Sequence, residues 1–233
     1  MKLNWNFENT YLNLPKVFYS FVKPKIHQNP QIVILNKDLL NKINIKTSSI
    51  TSSELAKILS AQYNFDNNQF FSQAYAGHQF GHFTMLGDGR ALLLGEHIDK
   101  KNNRYDIQLK GSGKTPYSRN GDGKATLGTM LREYIISESM HYLRIPTTRS
   151  LAVIKTGENI MRERELPGAV LTRVASSHIR VGTFQFALMN NNKNYIEELT
   201  NYTINRHFPE LNKKTNKAEV LLKLVVTKQE DLI

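Results

Sequence analysis

Four clusters in this chain combine residue types and spacings that could do chemistry. Leu86-Gly87-Asp88-Gly89-Arg90 sets two glycines one apart beside a cation. Bare backbone N–H groups can then approach an anion, although an ordinary glycine turn fits the same residues. Gly121-Asp122-Gly123-Lys124 precedes a long helical pattern, and a helix N-terminus behind free glycine backbone suits a phosphate. Lys110 closes an alternating segment on its polar side, and Glu133 lies on an apolar stripe of the following helix. A carboxylate short of water needs a cation, and Lys110 is a reasonable partner. Arg173 and Arg180, seven apart across a strand end, could clamp a polyphosphate or stand as surface charges.

Other candidates fail on spacing. Gly111-Ser112-Gly113-Lys114-Thr115 is not a P-loop, because Gln108 stands where the first glycine is required. His78 and His82 are four apart but lack a nearby third ligand, so zinc is not expected. Ser118, Ser137 and Ser177 have no nucleophile-elbow context.

The elements positioning these residues follow from periodicity. Arg90–Ile98 and Tyr105–Lys110 read as a hairpin about the polar turn Asp99–Asn103. A helix is expected from about Ala125 to Leu143, stopping before Pro146. Leu127, Met130, Leu131, Tyr134 and Ile135 share one face, while Glu133, Ile136, Met140 and Leu143 share another. Apolar on two faces, that helix is expected to be largely buried. Further strands are predicted at Ile32–Leu35, Thr148–Ile154 and Ala169–Val174. Helices are predicted at Ser52–Leu59, Tyr195–His207 and Ala218–Ile233. Strands first and helices later give a two-lobed α+β architecture.

Composition sets the bounds. The 233 residues carry 40% hydrophobic and 22% charged residues and no cysteine, which removes disulfides and thiol chemistry. No apolar run approaches the ~20 residues needed to cross a bilayer. The first residues lack a secretory apolar core, so a cytoplasmic protein without membrane attachment is expected. The net charge of +11 comes from scattered lysines rather than a basic stripe, and nucleic acid is not the expected partner.

Taken together the motifs resemble the selenoprotein O family. The resembling runs are Tyr75–Gly81, Leu86–Ala91, Leu109–Gly123, Arg132–Glu133 with Ser137–His141, Ile145–Arg149, Pro167–Ala175 and Ser177–Gly182. That resemblance implies a protein-kinase-like fold that binds ATP in reversed orientation and transfers AMP to protein Ser, Thr or Tyr hydroxyls. It implies an N-terminal extension over 1–70, a kinase-like N-lobe over 71–185 and the first helices of a C-lobe over 186–233. By resemblance, Gly87, Gly89, Arg90, Lys110, Asp122, Gly123, Arg173 and Arg180 contact the nucleotide, and Glu133 pairs with Lys110. The family's general base and its Mg²⁺ or Mn²⁺ ligands belong to motifs that this sequence lacks. They are expected beyond Ile233, which implies a chain weak or inactive by itself. Lys124, Gly128, Arg144 and Val181 depart from the family's usual Arg, Arg, Gly and Phe.

Overall fold

The computed structural model describes residues 3–62, 69–79 and 81–232. Phe80 of the first motif, Ile233 at the end of the expected last helix, and Met1-Lys2 lie outside the described residues.

In chain order the elements are β1 (Phe7–Glu8), β2 (Tyr19–Phe21), β3 (Gln31–Leu35), α1 (Lys37–Lys42), α2 (Ser52–Leu59), β4 (Phe71–Gln73), β5 (Ala76–Gln79) and β6 (His82–Met85). Then come β7 (Ala91–Ile98), β8 (Arg104–Lys110), β9 (Ala125–Thr126), α3 (Leu127–Tyr142), β10 (Arg149–Met161), β11 (Glu165–Ala175), α4 (Val181–Met189), α5 (Lys193–His207) and α6 (Lys217–Glu230). The α+β class holds. An antiparallel sheet runs β2-β4-β7-β8-β11-β10-β3, with β1 on β7 and β9 on β11, while β5 and β6 form a separate ribbon. Strands from the first seventy residues are thus part of this same sheet.

Alternation along β8 divides the molecule into two faces. Ile107 and Leu109 are fully buried in a core with Leu55 and Leu59 of α2 and Leu39 and Leu40 of α1. Each such side chain contributes about 2 kcal/mol by leaving water. Thr51 starts α2 with a capping box, its hydroxyl accepting from the Glu54 N–H while the Glu54 side chain accepts from the Thr51 N–H. Asp106, Gln108 and Lys110 point the other way, and the register places Gln108 opposite Arg173 and Lys110 opposite Leu171.

Helix α3 packs Met130, with Leu127, Leu131 and Tyr134, onto Val153 of β10 and Ala169 and Leu171 of β11. Its second apolar stripe is not covered, Ile136 and Leu143 being 60% and 71% exposed, and Ile135 of the first stripe is 59% exposed as well. The expected two-sided burial is therefore wrong, because only one face of α3 meets the sheet. The buried acid of this helix is Glu138, bound by Arg149 through Nε at 2.8 Å and Nη2 at 2.6 Å. The helix ends in a Schellman turn, in which the Ile145 N–H donates to the Met140 carbonyl at 2.9 Å while Arg144 takes φ +63°.

Strands β10 and β11 run longer than the sequence pattern indicates, as a hairpin whose ladder is interrupted between Lys155 and Asn159. Helix α4 was not anticipated. It packs Phe186 and Ala187 against Phe18 and Ala76, together with Leu199 of α5.

Candidate functional site

Every residue singled out as a nucleotide contact lines one cleft of about 540 Å³ on the polar face of β8. Gly87 and Gly89, Asp122 and Gly123, and the cations Arg90, Lys110, Arg173 and Arg180 share its lining. Glycine is required at two of these places. Gly87 has φ +105° and its α-carbon faces the Tyr117 ring, so a methyl group there would overlap the aromatic carbons. Gly123 has φ +68° and sits against the Gly113 carbonyl, where a side chain would strike backbone.

Lys110 Nζ lies 2.5 Å from Glu133 Oε1, tying the end of β8 to the middle of α3. Arg173 approaches the same carboxylate, its Nη1 3.9 Å from Glu133 Oε2. One acid thus serves two cations, and the site keeps surplus positive charge. Burial, and then the neighbouring Arg173 charge, hold the Lys110 ammonium below its ordinary pKa, although Glu133 opposes both. Burial likewise lowers Arg173. One Arg173 branch donates to Gln108 Oε1, while its buried Nε has no acceptor among the described residues. An unused donor on a buried cation suits an incoming anion.

The remaining acids of the cleft are already engaged. Asp88, 4% exposed, accepts from Arg180 Nη2 at 3.2 Å through Oδ1. Its Oδ2 accepts from Gln108 Nε2 and from the Gln73 N–H, each at 3.3 Å. The Arg180 guanidinium also stacks 4.3 Å from the centre of the Tyr75 ring. Asp122 is clamped by both branches of Arg162 at 2.9 and 3.0 Å, and that hydrogen bonding holds its carboxyl below the usual range. Among the described residues no group of three or more His, Cys, Asp or Glu could hold a metal ion. His78 and His82 sit on neighbouring rungs of the β5–β6 ribbon, opposite Phe83 and Gln79 respectively.

Sequence reasoning gave no role to Asp88, Gln108, Tyr75, Tyr117 or Arg162, all of which build the site. Gln108 carried a usable signal, being two residues before Lys110 and so on the same face of β8. Arg162 carried none, since it lies in an exposed turn whose approach to Asp122 is set by the β10–β11 hairpin.

No helix among the described residues is long and apolar enough to cross a membrane. A family model described as protein adenylyltransferase SelO matches residues 1–233. The chain is similar to the protein nucleotidyltransferase YdiU of Pelagibacter ubique, at 54% identity over 233 residues, all of this chain and 48% of the relative. It is 56% identical over 229 residues to the YdiU of Brevibacillus brevis, covering 98% of this chain and 47% of that protein. Against the YdiU of Clostridium perfringens the identity is 53% over 232 residues, with 47% of the relative covered. The chain spans about half the length of the curated relatives it matches. Matched along its whole length, the chain belongs to the SelO family of protein adenylyltransferases.

Proposed function

We propose that the cleft binds ATP and that this chain is the nucleotide-gripping part of a protein-kinase-like adenylyltransferase, which moves AMP from ATP to Ser, Thr or Tyr hydroxyls of other proteins. The observation that carries this reading is that Lys110, ion-paired to Glu133, lines one cleft together with Arg90, Arg173 and Arg180.

In the reaction a bond forms between the acceptor oxygen and the α-phosphorus, and the bond from that phosphorus to the β-bridging oxygen breaks. Pyrophosphate leaves with the electron pair, and the hydroxyl proton passes to a base. Such a transfer needs positioning and neutralised charge more than covalent help from the protein. Lys110, held in place by Glu133, and Arg173, with a donor to spare, supply cations at fixed points. Arg180 is steadied by Asp88 and Tyr75. Gly87, Gly89 and Gly123 bring tightly packed main chain into the lining of the same space. The family resemblance adds the reversed orientation that turns the α-phosphate toward the acceptor.

Mg²⁺ or Mn²⁺ belongs to the same reading as a neutraliser of phosphate charge. The described residues do not fit it, because Asp88 and Asp122 are both bound to arginines. No step here runs through a metal. Its ligands and the general base are proposed to lie in the part of the relatives that this chain does not span. The chain alone is therefore expected to bind ATP and to transfer AMP weakly or not at all.

Incubation of a protein substrate with ATP labelled at the α- or the γ-phosphate tests the reading. Label entering protein from the α position supports AMP transfer, and label entering only from the γ position overturns it. ATP binding with neither label transferred leaves a nucleotide-binding module.

A further inference from the structure

A second concavity of about 440 Å³ adjoins the cleft and shares Arg90, Lys124 and Arg162 with it. Arg132 of α3 and Arg164 of the β10–β11 turn complete its charged lining. Five cations thus converge from three parts of the chain, and no acidic side chain lines the space among the described residues.

The balance of partners matters more than the count. Lys124 is shared with Glu158 at 3.3 Å, and Arg162 with Asp122. Arg90, Arg132 and Arg164 have no carboxylate within ion-pair distance among the described residues, so their charge is uncompensated. Part of the lining is also held in place. The two-pronged Asp122 contact fixes the Arg162 guanidinium, and Arg132 Nη2 leans on Thr129 Oγ1 at 3.4 Å. Gly128 leaves room in the lining, since beyond the helix's own backbone a β-carbon there would meet only Arg132 Nη1, at 3.9 Å.

Planar guanidinium forks match phosphate oxygens in pairs, and several forks around one pocket favour a multiply charged phosphate over a single carboxylate. We propose that this pocket is a second anion site taking a diphosphate group, reached from the cleft along the wall of Arg90, Lys124 and Arg162. The inference rests on the nucleotide reading of the cleft only for the origin of that group, not for the site's affinity. Two sources share the chemistry: pyrophosphate released by transfer, and the terminal phosphates of a nucleotide still bound.

Calorimetric titration with inorganic pyrophosphate tests the site directly. Arg132 and Arg164 do not line the cleft. The Arg132→Ser/Arg164→Ser protein should bind pyrophosphate roughly tenfold more weakly, the cost of losing charge-assisted contacts. A Lys101→Ser/Lys213→Ser control loses the same net charge at exposed positions outside both pockets, and it should change by less than about twofold, as screened surface charge does. Parallel titration with ATP separates the sources. If ATP weakens alongside pyrophosphate, the terminal phosphates reach the pocket; if pyrophosphate alone weakens, the released product is its ligand. Equal effects in the two double variants, with matching melting curves, would overturn the proposal.

Discussion

Asp88 holds Arg180 over the cleft, with Arg180 Nη2 3.2 Å from Oδ1 of a carboxylate that is itself almost fully buried. The second oxygen of Asp88 meets Gln108, and Gln108 in turn accepts from Arg173. One aspartate in a glycine turn therefore sets the position of both arginines, through β8 on one side and the start of α4 on the other.

Asp88→Ala should disorganise both arginines at once. Removing one partner of a buried charged network costs about 3 kcal/mol, and denaturant unfolding should show a loss near that size. ATP affinity should fall roughly tenfold with the arginines unplaced. Asp88→Asn keeps an acceptor for the Gln73 N–H and should lose less stability than Asp88→Ala. Wild-type ATP affinity in Asp88→Ala would show that Arg180 does not depend on this contact.

Lys110 yields a prediction in pH. With its ammonium held below the ordinary lysine pKa by burial and Arg173, the free protein gives up that proton earlier as pH rises. Bound triphosphate favours the charged form, so ATP affinity should decline as pH climbs through the lowered pKa, and binding there should take up a proton. Calorimetric enthalpies in buffers of different ionisation heat report this uptake in the alkaline range. Lys110→Met should abolish the buffer dependence and weaken ATP binding by tenfold or more, as expected for a lost phosphate cation. Buffer dependence surviving in Lys110→Met would assign the proton elsewhere.

The β7–β8 hairpin, α2, α3 and the placing of Lys110 on a polar face were legible because each rests on local periodicity or capping. The face of α3 was not. Ile136 and Leu143 look as apolar as Met130, and only the sheet decides which stripe is covered. Glu133 and Glu138 both fall on apolar stripes, yet the buried one is chosen by Arg149, eleven residues from Glu138 at the start of β10. The eight nucleotide candidates share a cleft because glycine turns and strand ends converge there. Arg162 reaches it through hairpin length, which residue types do not encode locally.

Glu138 is expected to act as a structural anchor. Burial pushes its carboxyl up, but Arg149, the Ser150 N–H and Asn36 outweigh that and hold it below the usual glutamate value. A depressed carboxyl stabilises above its unfolded pKa, and that stability is lost as pH falls through the folded one. Glu138→Gln should cost about 3 kcal/mol at neutral pH by leaving Arg149 unpaired. It should also flatten part of the acid unfolding limb. A neutral-pH loss below about 1 kcal/mol, the range of exposed pairs, would place the ion pair among surface contacts.

Arg144 closes α3 at φ +63°, where glycine carries no steric cost. Arg144→Gly should stabilise by about 0.5–1 kcal/mol, because relief of strain exceeds the added freedom of the unfolded chain. Thermal melting measures this, and destabilisation would show that the Arg144 side chain contributes more than its backbone costs.

His207 ends α5 with Nε2 2.8 Å from Ser177 Oγ, and burial, followed by the Arg206 charge, lowers its pKa from 6.5 to about 4. The unfolded chain binds the proton near 6.5 and the folded one only near 4, so the unfolded state carries more protons between these values. Stability must then fall as pH drops from 6.5, with the loss levelling off near 4. Partial solvent access limits the contribution to about 2 kcal/mol. His27, His97 and His178 are also lowered by burial and act in the same direction. The decisive quantity is therefore a difference between proteins. His207→Gln keeps a polar partner for Ser177 and has nothing to titrate, so its melting temperature should decline less than that of the wild type between pH 6.5 and 4. Parallel curves over that interval would show that His207 is protonated in the folded protein as readily as in the unfolded chain.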